Sequence, residues 1–116
     1  MGAGVSKYGA RKTACNNGHV HDSKREATRC GELHLLQRLN EIMLLQVQPR
    51  FEFVIGGKPV MMKNGQCARF TGDFAYVEVK SQKQVVEDSK GYVVRDYPLR
   101  AAIFRHLFPQ IELREV

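Results

Sequence analysis

The sequence predicts an α/β domain of the α+β kind, with core order α-β-β-β-α-β and a mixed sheet flanked by two helices. Three observations predict it. Residues 73–90 alternate polar and apolar about a polar turn, the pattern of a hairpin. Ser23-Lys24-Arg25-Glu26 fits the helix-opening pattern S-x-x-E and is followed by a leucine-rich run. A second helical run lies between Asp96-Tyr97-Pro98 and Pro109, with an alternating segment, 111–116, after it.

Residues 1–20 contain Gly, Asn, Lys and Arg with no period. They read as a flexible basic arm ahead of one domain spanning 21–116. Over residues 1–30, Lys7, Arg11, Lys12, Lys24, Arg25 and Arg29 oppose only Asp22 and Glu26. Such an arm either adds phosphate contacts or is a frayed, solvated end. Asp22 or Ser23 caps the first helix, which is expected to run to about Met43. Leu35, Leu39 and Ile42 form its apolar stripe, joined by Leu36 and Met43. Glu26 lies off that stripe, so periodicity alone reads it as a cap. Leu33, Leu36 and Met43 are available to the core or to a subunit interface.

Phe51, Phe53 and Ile55 alternate with Glu52 and Val54 as a strand with one aromatic face. Gly56-Gly57 turns the chain. Pro59 makes 58–63 an edge strand, and Asn64-Gly65 is a two-residue hairpin signal. Gln66 opens a long strand that carries Asp73. Gly72 marks a bulge or a close backbone approach just before that acid.

With Val79 opposite Gln84, Val77 faces Val86, Ala75 faces Asp88 and Asp73 faces Lys90. Opposed side chains sit about 5 Å apart. Two carboxylates and an ammonium on a face otherwise made of Ala and Val suit a hard divalent cation, with the lysine beside an activated water. A second triplet, Glu78-Val79-Lys80, stands five residues beyond Asp73. It is roughly 17 Å away on the opposite face and reads as solvated. Glu87 points away from Asp88 in a regular strand, and a bulge would exchange the two. A plain salt bridge between Asp73 and Lys90 is the simpler alternative. In the second helix Asp96 caps, Leu99, Ala102, Ile103 and Leu107 form the buried face, and Arg100 and Arg105 stay outside.

The bulk properties narrow the function. At 116 residues the chain holds one core. A net charge of +6 and a pI of about 9.5 favour a polyanionic partner, with nucleic acid first. Three cysteines, Cys15, Cys30 and Cys67, fit a reducing cytoplasm. No leader-like segment and no apolar run of membrane-spanning length is read. Cys15, His19, His21 and Cys30 match no strong zinc spacing, and no nucleotide-binding glycine motif occurs. Phe51, Phe53 and Phe104 read as core.

An Asp, a spacer and an apolar run ending in (D/E)-x-K resemble the PD-(D/E)XK nuclease superfamily. The matching residues are Gly72-Asp73 and Val85-Val86-Glu87-Asp88-Ser89-Lys90-Gly91. Lys7-Tyr8-Gly9, His21-Asp22-Ser23-Lys24-Arg25-Glu26-Ala27, Gln48-Pro49-Arg50-Phe51 and Asp73-Phe74-Ala75-Tyr76 resemble short phage and prophage nucleases related to Holliday-junction resolvases. The resemblance implies a restriction-endonuclease-like core and an Mg²⁺-dependent endonuclease, Mn²⁺ being an alternative metal. It implies that Asp73, Asp88, Glu26 and the Ser89 carbonyl hold the metal, while Lys90 serves the attacking water. Lys7, Arg11, Lys12, Lys24, Arg25, Arg29, Arg100 and Arg105 are the candidates for gripping the DNA backbone. The implied partners are branched DNA and a second copy of the chain, in the cytoplasm of a bacterial host. The alternative is a non-catalytic nucleic-acid-binding protein on the same scaffold.

Overall fold

The computed structural model describes Thr13–Ala14, Val20–His21 and residues 24–89 and 95–116. In chain order the elements are β1 (Thr13–Ala14), β2 (Val20–His21), α1 (Lys24–Arg38), β3 (Ile42–Val47), β4 (Arg50–Glu52), β5 (Val54–Ile55), β6 (Lys58–Pro59), β7 (Arg69–Thr71), β8 (Phe74–Glu78), β9 (Gln84–Asp88), α2 (Tyr97–Leu107) and β10 (Ile111–Glu115). The main sheet has the order β10-β9-β8-β3. β10 runs parallel to β9, and the other two pairings are antiparallel. The domain is therefore α+β with a mixed sheet and two helices. The series α1, β3, β8, β9, α2, β10 gives the expected order α-β-β-β-α-β. β1 and β2 pair as a two-residue antiparallel ladder. The rest of the expected basic arm, with Lys7, Arg11, Lys12 and Cys15, lies outside the described residues, as do the helix cap at Asp22 or Ser23 and Lys90.

The first core strand is not the expected 51–55. α1 stops at Arg38, five residues early, because Asn40 takes a left-handed conformation with φ of 61°. The Glu41 amide then bonds the Leu36 carbonyl at 2.9 Å and the Asn40 amide bonds that of Gln37 at 3.0 Å. This pair of bonds is the Schellman closure that an αL residue permits. Ile42 and Met43 fall in β3 instead of the helix. The expected stripe is overturned with it, since Leu35 is 48% and Leu39 61% exposed. The buried face of α1 is Glu26, Ala27, Cys30 and Leu33. Leu33 is core, so it is not available as an interface residue.

β3 carries a bulge between Met43 and Gln46. Leu44 adopts φ of 58° there, and the Gln37 side chain accepts the Leu45 amide proton at 2.9 Å. Phe51 and Phe53 belong to a set of small ladders, β4 with β7 and β5 with β6, outside the main sheet. Gly56 and Gly57, at φ of 62° and 78°, make the β5–β6 turn of the kind that needs two left-handed residues.

The β8–β9 register differs from the expectation by one step on each arm. Val77 opposes Gln84, Ala75 opposes Val86 and Phe74 opposes Glu87. The cause is the turn. Glu78 closes on Lys83, Gln82 takes φ of 59°, and Gln82 and Ser81 side chains bond the turn itself. Continuing the ladder one step places Asp73 opposite Asp88, not opposite Lys90. The parity survives: Asp73, Ala75, Val77, Val86 and Asp88 still share a face.

Each face of the sheet has its own core. α1 covers Ile42, Phe74, Tyr76 and Val85 with Cys30 and Leu33. On the other face α2 brings Ala101 and Phe104 onto Val86, Phe53 and Phe70. Phe51 packs edge-on against Phe104 with ring centres 5.0 Å apart. The α2 face thus differs from expectation. Leu99 is 65% exposed and Ala102 is exposed, while Ile103 and Leu107 are half-buried. Asp96 gives no side-chain cap, because its carboxylate accepts Arg100 Nε at 2.8 Å.

Candidate active site

Gly72 sets the position of Asp73. A Cβ at residue 72 would come within 2.6 Å of Val86 Cγ1. Glycine therefore lets the backbone lie against β9 just before the acid. Asp73 is then held at three points. Its amide donates to the Glu87 carbonyl at 2.9 Å, and its carbonyl accepts the Gln48 amide at 2.8 Å. Its Oδ2 accepts the Ser89 amide at 2.7 Å.

The two adjacent acids of β9 part company here. Glu87 turns toward α1 and is 1% exposed. Arg29 grips it in bidentate fashion, Nε to Oε1 at 2.8 Å and Nη2 to Oε2 at 2.6 Å. The Tyr76 hydroxyl donates to Oε2 at 2.5 Å. Burial pushes the Glu87 carboxyl up, but these bonds outweigh it and hold it below the usual carboxylate value. The same contact raises Arg29, and burial with this bond pushes the Tyr76 phenol up to about 12.

Asp88 turns toward α2. Burial is the main reason that its carboxyl is pushed up to about 6. A hydrogen bond with Tyr97 works against that, while the negative charges of Glu115 and Glu26 add to it. Among the described residues, the groups that act on Asp88 are thus one phenol and two carboxylates. Glu26 is buried on the inner face of α1, which corrects the view that it lies away from the site. A cleft of about 400 Å³ beside α1 is lined by Arg25, Glu26, Arg29, Asp73, Glu87 and Ser89 among others.

The DUF1064 family, described as a protein of unknown function, matches residues 5–116. The chain belongs to the DUF1064 family. No curated protein and no solved structure matches it.

In this DUF1064 chain the expected site residues are partly assembled. Asp73, Ser89, Glu26 and Arg25 line one cleft, and Asp88 stands at the end of the adjoining strand. Lys90 lies outside the described residues. Among the described residues no group of three or more His, Cys, Asp or Glu is arranged to hold a metal ion by itself. Of the expected backbone-gripping residues, Lys24 and Arg25 are exposed. Arg29 is engaged with Glu87 and also with Glu32 at 3.0 Å. Arg100 is committed to Asp96 and, through Nη1, to the Arg69 carbonyl at 2.6 Å. These two guanidiniums hold the fold together, which corrects their assignment as backbone contacts. Arg105 is exposed and lies 3.6 Å from Glu115. Glu78 is not simply solvated, since Arg114 pairs with it at 3.0 Å. Cys30 is buried in the α1 core with its Sγ 3.5 Å from His34, and Cys30 and Cys67 are both free thiols. Among the described residues no helix is long and apolar enough to cross a membrane.

Tyr76, Tyr97 and Glu115 had no signal of their own in the sequence. Tyr76 could have been found, because the parity that puts Asp73 with Asp88 also puts Tyr76 with Glu87.

Proposed function

We propose that this DUF1064 chain is a metal-dependent endodeoxyribonuclease that hydrolyses DNA phosphodiesters. The observation that carries the reading is Asp88. Its carboxylate is half-buried, faced by the charges of Glu26 and Glu115, and one ladder step from Asp73. Like charges gathered out of water are costly, and a bound cation relieves that cost. Mg²⁺ suits such a place. It takes one or two carboxylates plus phosphate and water, and seldom a complete protein cage. Glu87 is excluded as a ligand because three donors already occupy its two oxygens.

Asp73 and Asp88 would hold the cation, with Glu26 adding negative charge from α1 and the Ser89 carbonyl a further oxygen. When bound, the ion polarises the scissile phosphate and stabilises charge in the transition state. Arg25 at the cleft mouth meets the DNA backbone. Lys90, two residues beyond Asp88, steadies the attacking water. The preference for branched DNA, and the homodimer that paired cuts across a junction require, extend the reading on the resemblance described above.

The test is cleavage of a labelled four-way junction, a plain duplex and a single strand, with Mg²⁺ or with EDTA. Wild type is expected to cut with Mg²⁺ only. Asp88→Asn and Lys90→Ala are each expected to lose at least about 100-fold in rate. DNA binding with no cutting in Mg²⁺ or Mn²⁺ would replace the enzyme with a scaffold that only binds.

A further inference from the structure

Asp88 is reached from two elements that the D…(D/E)xK pattern does not include. Tyr97 opens α2, and its ring lies 6.0 Å, centre to centre, from that of Phe70. Its hydroxyl donates to Glu115 Oε2 on β10 at 2.9 Å. The same hydroxyl is hydrogen-bonded with Asp88 on β9. Arg105, two turns further along α2, approaches the same Glu115 oxygen at 3.6 Å. The Val116 amide bonds the Asp88 carbonyl at 2.9 Å, so the last strand also fixes the backbone at this point.

We infer that Tyr97 is a positioning residue for Asp88, its hydroxyl bridging Asp88 and Glu115 and fixing how the Asp88 carboxylate meets a cation. This rests on the nuclease reading above. A phenol has one proton and two carboxylate neighbours, so it serves one at a time by rotating. Arg105 supplies positive charge to Glu115, which leaves the hydroxyl proton for Asp88 when that carboxylate turns an oxygen to a metal. Outer partners of this kind hold a ligating carboxylate in one orientation, and their loss typically weakens metal binding or activity 10- to 100-fold. Glu115 and Arg105 act through Tyr97 and touch neither substrate nor ion.

Tyr97→Phe keeps the ring against Phe70 and removes only the hydroxyl, so it is the natural probe. Mn²⁺ affinity of the full chain is measured by calorimetry, beside DNA cleavage and the melting temperature without metal. Tyr97→Phe is expected to melt close to wild type and to bind Mn²⁺ about 10- to 100-fold more weakly. Cleavage is expected to fall at limiting Mn²⁺ and to recover at saturation, a split that general loosening of the fold would not produce. Glu115→Gln retains an acceptor for the hydroxyl and is expected to keep Mn²⁺ within a few-fold. Wild-type Mn²⁺ affinity in Tyr97→Phe would overturn the inference while leaving the nuclease reading intact. So would equal losses in both variants. A wild type that neither binds Mn²⁺ nor cuts DNA would remove the nuclease reading, and this inference with it.

Discussion

Glu87 and Asp88 are adjacent on one strand, carry the same charge, and face opposite layers of the molecule. On the α1 side, Glu87 meets a guanidinium and a phenol that satisfy both of its oxygens. On the α2 side, Asp88 meets a phenol and two further carboxylates. The first arrangement favours the charged form and the second opposes it. A carboxylate becomes a structural anchor or a reactive group according to its neighbours, and a strand delivers each alternative at successive positions.

The largest expected effect comes from breaking the anchor. Glu87→Ala would strand the Tyr76 hydroxyl in the core and leave Arg29 half-buried without its main partner. A cost of about 2–4 kcal/mol is expected in urea unfolding. It falls short of the loss of a fully buried pair because Arg29 can rehydrate and keeps Glu32.

Asp88→Asn should do the reverse to stability. The folded Asp88 carboxyl lies near 6, above its ordinary 3.8. The folded state therefore holds that proton more tightly, and stability declines as pH rises through this window. Asp88→Asn is expected to melt above wild type at pH 7–8, and level with it below about pH 4. Mg²⁺ should raise the melting temperature of wild type and not that of the variant. A variant that melts below wild type at neutral pH would mean that Asp88 is an anchor like its neighbour.

Glu87 contributes with the opposite sign. Its folded value lies below the ordinary 4.5, so its stabilisation is present above pH 4.5 and disappears as the pH falls through the folded value. Acid titration of Glu87→Gln should lack that part of the wild-type loss. Next in size is Gly72→Ala, which must displace Val86 or the backbone. It is expected to destabilise by about 1–3 kcal/mol and to disturb Asp73, seen as weaker Mg²⁺-induced stabilisation. The smallest effect is expected at Asp96. Its pair with Arg100 is largely solvated, and Asp96→Ala should cost about 0.2–1 kcal/mol in the same unfolding assay.

Alternation in residues 73–79 and 84–90 was enough to place Asp73 and Asp88 on one face, because parity survives a shift of register. The register itself depended on Gln82 entering the left-handed region, which glutamine does not advertise. The end of α1 was hidden for a related reason. Leu35, Leu36, Leu39, Ile42 and Met43 keep helical spacing straight across the break, and only Asn40 marks it. Misplacing that end also misplaced the inner face of α1, and so Glu26. The bridge from Asp88 through Tyr97 to Glu115 joins three separate elements. Chain folding brings them together, and no local pattern encodes it.

The bulge in β3 has a consequence for how the molecule meets its own copies. β3 is the last strand on one side of the main sheet, a position that offers unpaired backbone groups to any passing strand. Leu44, left-handed and exposed, breaks the regular row of donors and acceptors there, and the Gln37 side chain takes up one of the amides. This rim is therefore a poor template for strand addition, so runaway stacking of chains is blocked along it. A second copy would have to associate by side-chain packing, or through the opposite rim at β10.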